Sequence, residues 1–588
     1  MLLCNIGVIK KHSLDFKNLR QTHRRASGNT IKQYSTTLLL VGSMLSSAHL
    51  RASGEIYHAN SNYNAIEQSM IAEFALAAHD AATAVHNYTV LAIKSDSTTV
   101  KQRALNVAIE HEDMNAALNI ATHWVVQEPK DVPAMFYLAH IALKVHEYEL
   151  AADTLNKILT IDSNAELDEI LAGISPEQAK DRDVLIQALL QSDQKDNPSI
   201  LVLIAGLEAQ NGQYEQALNT INKALKKRKK VTGYMLMKAN LLMALEREDD
   251  VKLWFKQCIR RNQSNADLRI AEAKYLIKIN ESAQALAKLE AFLKIKPDHE
   301  EALFIAGLTS IDLEQSATAE KYLVELRHSA RYQNEAYYYL AVNAERKAHY
   351  ETAKAYYRLV DGSLYSVSRR NMVNIFQQQD RLNDALRFLT QERVNYPSQA
   401  SFLYLMQADI LKQMNNKNAA IRLLDEAIQN ISDDPELLYA EVLLLDPFHD
   451  ADKLDRRLSR LLDIEPNSPT YLNAYAYTLA TQNRRLDEAR RYVLQALESE
   501  PEQASILDTF GYITYLQNDF STSAEALAKA YQLSESAKIG ARYARSLYML
   551  GDLANFHKVL QQLHQKHPND QQLQQLDSLL LPQISKKS

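Results

Sequence analysis

Pro129, Pro297, Pro397, Pro466, Pro501 and Pro568 fall at one phase of a cycle about 34 residues long. Proline has no N–H to donate and its ring clashes with the preceding turn, so each of these residues stops a helix at the same step of the cycle. A cycle of that length holds two helices and two short turns. A lone helical hairpin cannot cover its own apolar face, so the copies must stack, each burying the flank of the last. No segment with strand periodicity competes with this pattern. The chain is expected to be all-α, a solenoid of stacked hairpins, which turns the functional question from catalysis toward binding.

The residues between the prolines keep register. Small residues at positions 8 and 20 let the two helices of a hairpin approach, and one at 27 admits the next hairpin. Bulky residues at 4, 7, 11 and 24 fill the seams. Counting from Ala266 as position 1 gives Ala273 at 8, Leu276 at 11, Ala285 at 20, Leu289 at 24 and Pro297 at 32. Counting from Val132 puts Met135, Leu138, Ala139, Tyr148, Ala151 and Leu155 at 4, 7, 8, 17, 20 and 24. Copies from Pro198, Asn334 and Ala504 repeat the pattern, and others start near Ala65, Thr98, Thr232, Glu300, Ser366, Ser401, Pro435, Pro469 and Ala537. The Pro469 copy carries one extra residue near Arg484–Arg485. This register resembles the tetratricopeptide repeat (TPR), which implies a right-handed superhelix of about 14–15 hairpins. The stretch 162–197 has repeat length without the signature and is expected to be a degenerate copy. Within it, Ser175-Pro176 reads as a helix start, with serine as cap and proline at the first helical position.

At 588 residues the chain is long enough for several domains, but Gly and Pro number 13 each and no Ser/Gly-rich linker breaks the array. One continuous superhelix over 65–570 is expected, with a leader at 1–64 and a helix end and tail at 571–588. The formal net charge of -6 gives no global attraction to nucleic acid. The dense basic run Lys226-Lys227-Arg228-Lys229-Lys230 falls at the end of a B helix, where cations favour the dipole and solvent; an anionic partner is the alternative. Two cysteines, Cys4 and Cys258, exclude a disulfide framework, and Cys258 falls in the packing slot at position 27. At the N-terminus, Lys10, Lys11, Lys17, Arg20, Arg24, Arg25 and Lys32 precede a short apolar run at 36–45, then Ser46, Ser47 and Ala48. That order fits a secretory signal with a long basic region, and the run is short for a membrane span. A cytoplasmic leader is the other reading.

No GxxxxGK[ST], GxGxxG, HExxH or GxSxG motif occurs. His111-Glu112, His146-Glu147 and His299-Glu300 lack a second histidine one helical turn on. His146 and His449 read as solvated turn residues, and Asp249-Asp250 and Asp433-Asp434 as helix-capping acids near turns. No enzymatic activity, metal or cofactor is expected. The informative positions are 2, 5, 9, 12 and 13 of helix A, which a superhelix of this kind turns to its concave side. Position 5 reads Phe136, Val202, Leu236, Ile270, Phe304, Tyr338, Arg370, Leu405 and Tyr439. Two readings of this mostly apolar stripe stay open: tight winding buries it, or it lines a groove that accepts a peptide, a helix or the edge of a folded partner. Asn240 and Asn374 stand at position 9, and Arg370 with Asn374 resembles half of a carboxylate clamp, which Phe402 and Met406 in the next repeat do not complete. Tyr337, Tyr350 and Tyr357 read as packing residues, and Tyr338 as the ring facing a ligand.

Two regions narrow the resemblance. The first holds Ala72-Glu73-Phe74-Ala75-Leu76-Ala77, Asn87-Tyr88, Arg103-Ala104-Leu105, Ala116-Ala117-Leu118, Trp124 and Pro129-Lys130-Asp131. The second holds Leu486-Asp487-Glu488-Ala489-Arg490 and Leu507-Asp508-Thr509-Phe510-Gly511-Tyr512. Both resemble the LbcA-type tetratricopeptide lipoproteins of Gram-negative bacteria, adaptors for a carboxyl-terminal processing protease, over roughly 65–568. The resemblance implies a non-catalytic scaffold attached to the outer membrane and facing the periplasm. Its implied partners are the protease and its substrates, including cell-wall hydrolases, and not nucleic acid. Leu40-Val41-Gly42-Ser43 departs from the family, because Ser43 stands where a lipidated cysteine is needed. The alternative is a cytoplasmic assembly or regulatory scaffold with an unrelated protein client.

Overall fold

The computed structural model describes residues 62–165, 167 and 176–568. The leader with its apolar run and Ser43, Ser175 and the tail at 571–588 lie outside the described residues. Among the described residues there are 29 α-helices and no strand. The helices fall into hairpins at the expected phases, from Asn62–Ala77 with Ala81–Lys94 to Ala537–Leu550 with Leu553–Lys566. Helix Ala179–Gln191 is the single described helix of the degenerate stretch. This is a tetratricopeptide-repeat solenoid fold.

Local signals set the hairpin boundaries. Asp80, Asp113, Asp131, Asn265 and Asp519 each accept a backbone N–H of the following helix's first turn, satisfying a donor that the helix leaves unpaired. The turn between helices A and B holds a left-handed residue at position 15: His79, Glu112, Gly212, Asn280, Asn415 and Gly551 are examples. The extra residue of the Pro469 copy is absorbed by two such residues, Asn483 at φ 49 and Arg485 at φ 51. Helix A of the Pro435 copy is short, Pro435–Val442. The residue before Pro447 resists helical geometry, and Asp446 accepts from the N–H groups of Phe448 and His449.

The start expected at Ser175-Pro176 is displaced, because the described helix begins at Ala179. Nη1 of Arg182 donates to the carbonyls of Pro176 and Glu177 at 2.7 Å each, which holds those two residues outside the helix.

The chain divides into two compact units, Met1–Asn343 and Ala344–Ser588. In the first, Leu105, Ile120, Trp124, Met135, Ile141 and Leu155 form a fully buried cluster, with the Trp124 ring stacked on Tyr137 at 5.9 Å between centroids. Further clusters gather around Phe255 and Met235 and around Phe292 and Leu303. In the second unit, clusters centre on Leu424 and Leu437, on Leu458, Leu479 and Val493, and on Leu527, Leu547 and Phe556. Each cluster is shared between neighbouring hairpins, as a stack of interdependent repeats requires. Where position 8 is glycine the approach is closest: a Cβ on Gly307 would lie 2.8 Å from the Leu323 side chain, which occupies position 24.

Among the charged residues buried in these cores, Arg369 and Glu441 stand at apolar positions of the repeat and are 0 % exposed. Arg369, at position 4 of the Ser366 copy, is 0 % exposed. Its Nε donates to Glu392 Oε2 at 2.7 Å, and Nη1 donates to the carbonyls of Tyr357 at 2.8 Å and Val360 at 2.9 Å. The guanidinium thus caps the end of helix Tyr350–Arg358 while the Tyr365 and Tyr396 rings cover it at 4.1 and 5.3 Å. Glu441, at position 7 of the Pro435 copy, is also fully buried. Its Oε2 accepts from Arg457 at 2.6 Å, and Lys453 Nζ lies 2.6 Å from its Oε1 as an ion pair outside hydrogen-bond geometry. Both cations also reach Asp425, at 2.7 Å from Lys453 and 3.1 Å from Arg457.

Candidate protein-binding face

The structure gives the stripe at position 5 an intermediate burial. Phe136, Val202, Leu236, Phe304, Tyr338, Leu405 and Tyr439 are half-buried, Ile270 is buried at 5 % exposure, and Arg370 is exposed. Phe136, Val202, Leu236, Phe304, Leu405 and Tyr439 each pack one edge on the cluster of their own hairpins. Their remaining surface lines the helix A face.

The stripe is most developed at Phe304. Its ring stacks on Tyr332 at 4.8 Å and meets Tyr339 edge-on at 5.9 Å, and Tyr339 in turn meets Tyr338 edge-on at 5.2 Å. Burial pushes the Tyr332 and Tyr339 phenols above the ordinary tyrosine range, so these two rings stay neutral. Neutral, interlocked aromatic rings present contact area at small entropic cost. The sequence places Tyr339 in a local concentration of tyrosines but puts neither it nor Tyr332 on this face, because neither holds position 5. Farther along, in the second unit, Tyr439 meets Tyr471 at 5.4 Å.

The polar handles are placed less favourably for a clamp. Asn240 and Asn374 are exposed. The Arg370 guanidinium lies over the ring of Phe402 at 5.3 Å, so it is engaged by one of the two residues that leave the clamp incomplete. Position 9 of the Val132 copy is His140, whose pKa is pushed down to about 4 by burial and by the nearby Lys144 charge. At neutral pH it is an uncharged imidazole. Of the expected packing tyrosines, Tyr357 is fully buried, and Tyr337 and Tyr350 are half-buried.

The remaining motifs are absorbed by the fold. Arg228 of the basic run donates to Ser163 O at 3.2 Å and Asn164 Oδ1 at 2.8 Å, and Lys227 donates to Asp196 O at 2.7 Å. Asp434 caps its helix, and Asp249 and Asp250 stand in the first turn of theirs. His146 is exposed and shares a hydrogen bond with Tyr148 at 2.6 Å. Cys258 is buried, and burial pushes its thiol up to about 11, which leaves it protonated and unreactive. Among the described residues, no group of three or more His, Cys, Asp and Glu side chains is arranged to hold a metal ion. No described helix is long and apolar enough to cross a membrane.

No known family profile matches the chain. A TPR repeat-containing protein of Pseudomonas aeruginosa is 24% identical over 454 residues, covering 76% of this chain and 76% of that protein. An uncharacterized lipoprotein of Treponema pallidum is 33% identical over 107 residues, 18% of this chain and 53% of that protein. Among solved structures, Naa15/Naa10 bound to HypK-THB matches at a TM-score of 0.36 and 15% identity, over 78% of this chain and 67% of its own. The APC/C hetero-tetramer Cut9–Hcn1 matches at a TM-score of 0.30 and 10% identity, over 87% of this chain and 95% of its own.

Proposed function

We propose that this chain is a non-catalytic scaffold of the cell envelope, which holds a carboxyl-terminal processing protease and that protease's substrates, such as cell-wall hydrolases, on the inward faces of its A helices. The observation that carries the reading is the interlocked aromatic group Phe304–Tyr332–Tyr339–Tyr338, half-buried on the face that helix packing leaves available. The similarity to the P. aeruginosa TPR protein over most of both chains supports a shared scaffold role. The short match to a lipoprotein supports the envelope. Holding two polypeptides on one array turns their encounter into an intramolecular event, which raises the local concentration of substrate at the protease without any chemistry by the scaffold.

The test is capture of the processing protease from envelope extracts by the tagged full chain. Phe304→Ala with Tyr338→Ala is expected to lower the captured amount at least about tenfold, the effect of removing a central aromatic anchor. Helical circular dichroism should be unchanged. Tyr338→Ala alone, which disturbs the core less, should lower it by a smaller factor. Equal capture by all three proteins would remove this face from the account.

A further inference from the structure

The last three A helices, Pro469–Thr481, Ala504–Leu516 and Ala537–Leu550, carry a group that neither the repeat pattern nor the aromatic stripe explains. Tyr477 and Tyr512 stand at position 9 of consecutive copies, with ring centroids 6.5 Å apart. From the third helix, Lys538 Nζ donates to the Tyr477 hydroxyl at 2.9 Å, although the two residues lie two copies apart. Arg542 lies over the Tyr512 ring at 4.0 Å, and its Nη2 is 3.5 Å from the same Tyr477 hydroxyl. A side chain that bridges first to third helix shows that this face curves inward locally. Two cations therefore converge on one phenol. Asp508, 7 % exposed, brings a carboxylate to the group, and its Oδ2 accepts from Arg542 at 2.7 Å.

We propose that this face is a docking site for an acidic stretch of polypeptide, whose carboxylates are taken by Lys538 and Arg542 while its backbone lies across Tyr477 and Tyr512. The proposal rests on the scaffold reading above and names the chemistry of one partner segment. Charge is the first reason. Two cations, Lys538 and Arg542, meet one carboxylate here, in a chain whose formal net charge is -6. Burial raises the Tyr477 phenol, yet the Lys538 hydrogen bond and the Arg542 charge outweigh it and hold the phenol below the ordinary tyrosine range. A phenol oxygen stands where a carboxylate would be bound more strongly. Spacing is the second reason. Residues four apart on a helix are separated by about 6 Å along its axis. Alternate residues of an extended chain are separated by about 6.6 Å. Lys538 and Arg542 therefore match acidic side chains at every second position. The Asp508 carboxylate argues against a phosphate dianion, which it would repel more than a carboxylate.

The test is fluorescence anisotropy of a labelled, end-blocked peptide alternating glutamate and alanine, titrated with the full chain. Its glutamine counterpart should bind at least about tenfold more weakly, the loss of one charge-assisted contact. Lys538 is exposed, so Lys538→Glu leaves the fold intact by circular dichroism; it should weaken the glutamate peptide at least about tenfold, and Lys538→Arg should stay within about threefold of the parent. Equal binding of the two peptides, no binding of either, or an unchanged affinity in Lys538→Glu would overturn the site. So would displacement by inorganic phosphate at concentrations equal to the peptide, which would make it a pocket for free anions. If the protease is still captured while the glutamate peptide does not bind, this site falls and the scaffold stands. If no protease is captured by the parent chain, the scaffold reading falls first.

Discussion

Arg369→Ala is expected to cost about 3–5 kcal/mol of stability, the penalty for stripping one partner from a fully buried ion pair. Three losses coincide. Glu392 keeps a buried charge with no cation opposite it, the carbonyls of Tyr357 and Val360 lose their donor, and a cavity opens between the Tyr365 and Tyr396 rings. Burial, and then the Glu392 charge, raise the Tyr365 phenol, so that ring stays a neutral donor to Glu392 but brings no positive charge to replace the guanidinium. Replacing the pair together, Arg369→Met with Glu392→Met, should recover about half of the loss, because no charge is then stranded. It should not recover all of it, since the two carbonyls remain without a donor. Urea unfolding followed by far-ultraviolet circular dichroism measures both. A cost below about 1 kcal/mol for Arg369→Ala would mean that the guanidinium does not hold the end of helix Tyr350–Arg358.

Glu441→Ala should be the second large effect, at about 3 kcal/mol. It lies at the lower end of the range for buried pairs because Lys453 and Arg457 keep Asp425 and are about a quarter exposed. The two carboxylates are not equivalent. Burial, helped by the neighbouring Asp425, holds the Glu441 carboxyl above the usual range. Burial also works on Asp425, but the Lys453 hydrogen bond overcomes it and holds Asp425 below the usual range. Asp425, a third exposed, is partly screened by solvent, so Asp425→Asn should cost about 1 kcal/mol or less. The ratio of the two costs is the diagnostic. Equal costs would mean that burial does not set the strength of this network.

The repeat register was legible to within a residue or two over most of the chain. Helices begin at Thr98, Val132, Pro198, Thr232, Ala266, Glu300, Pro435, Pro469, Ala504 and Ala537, because stacking repeats leave few ways to place Pro, Ala and Leu. The left-handed turn residue at position 15 was not visible, since His79, Glu112, Gly212, Asn280 and Ala348 share the geometry without sharing a side chain. Arg369 and Glu441 were legible in principle. Each puts a charge where the repeat wants an apolar residue, and each has its counter-charge in the same copy. Tyr332, Tyr339 and the Lys538–Arg542 group depend on which side chains meet across copies, and no spacing rule within one copy encodes that. The sequence also left open whether the stripe at position 5 is covered. The fold answers residue by residue, with Ile270 buried and Phe304 and Tyr338 half-buried.

The central claim is that the inward faces of the A helices grip other polypeptides. Hydrogen–deuterium exchange of the full chain, alone and saturated with the captured protease, tests it most directly. The account predicts new protection within A helices, foremost Glu300–Asp312 and Gln333–Arg346, with the paired B helices Ser316–Glu325 and Tyr350–Arg358 little changed. Protection confined to B helices, or exchange unchanged by a bound partner, would contradict it.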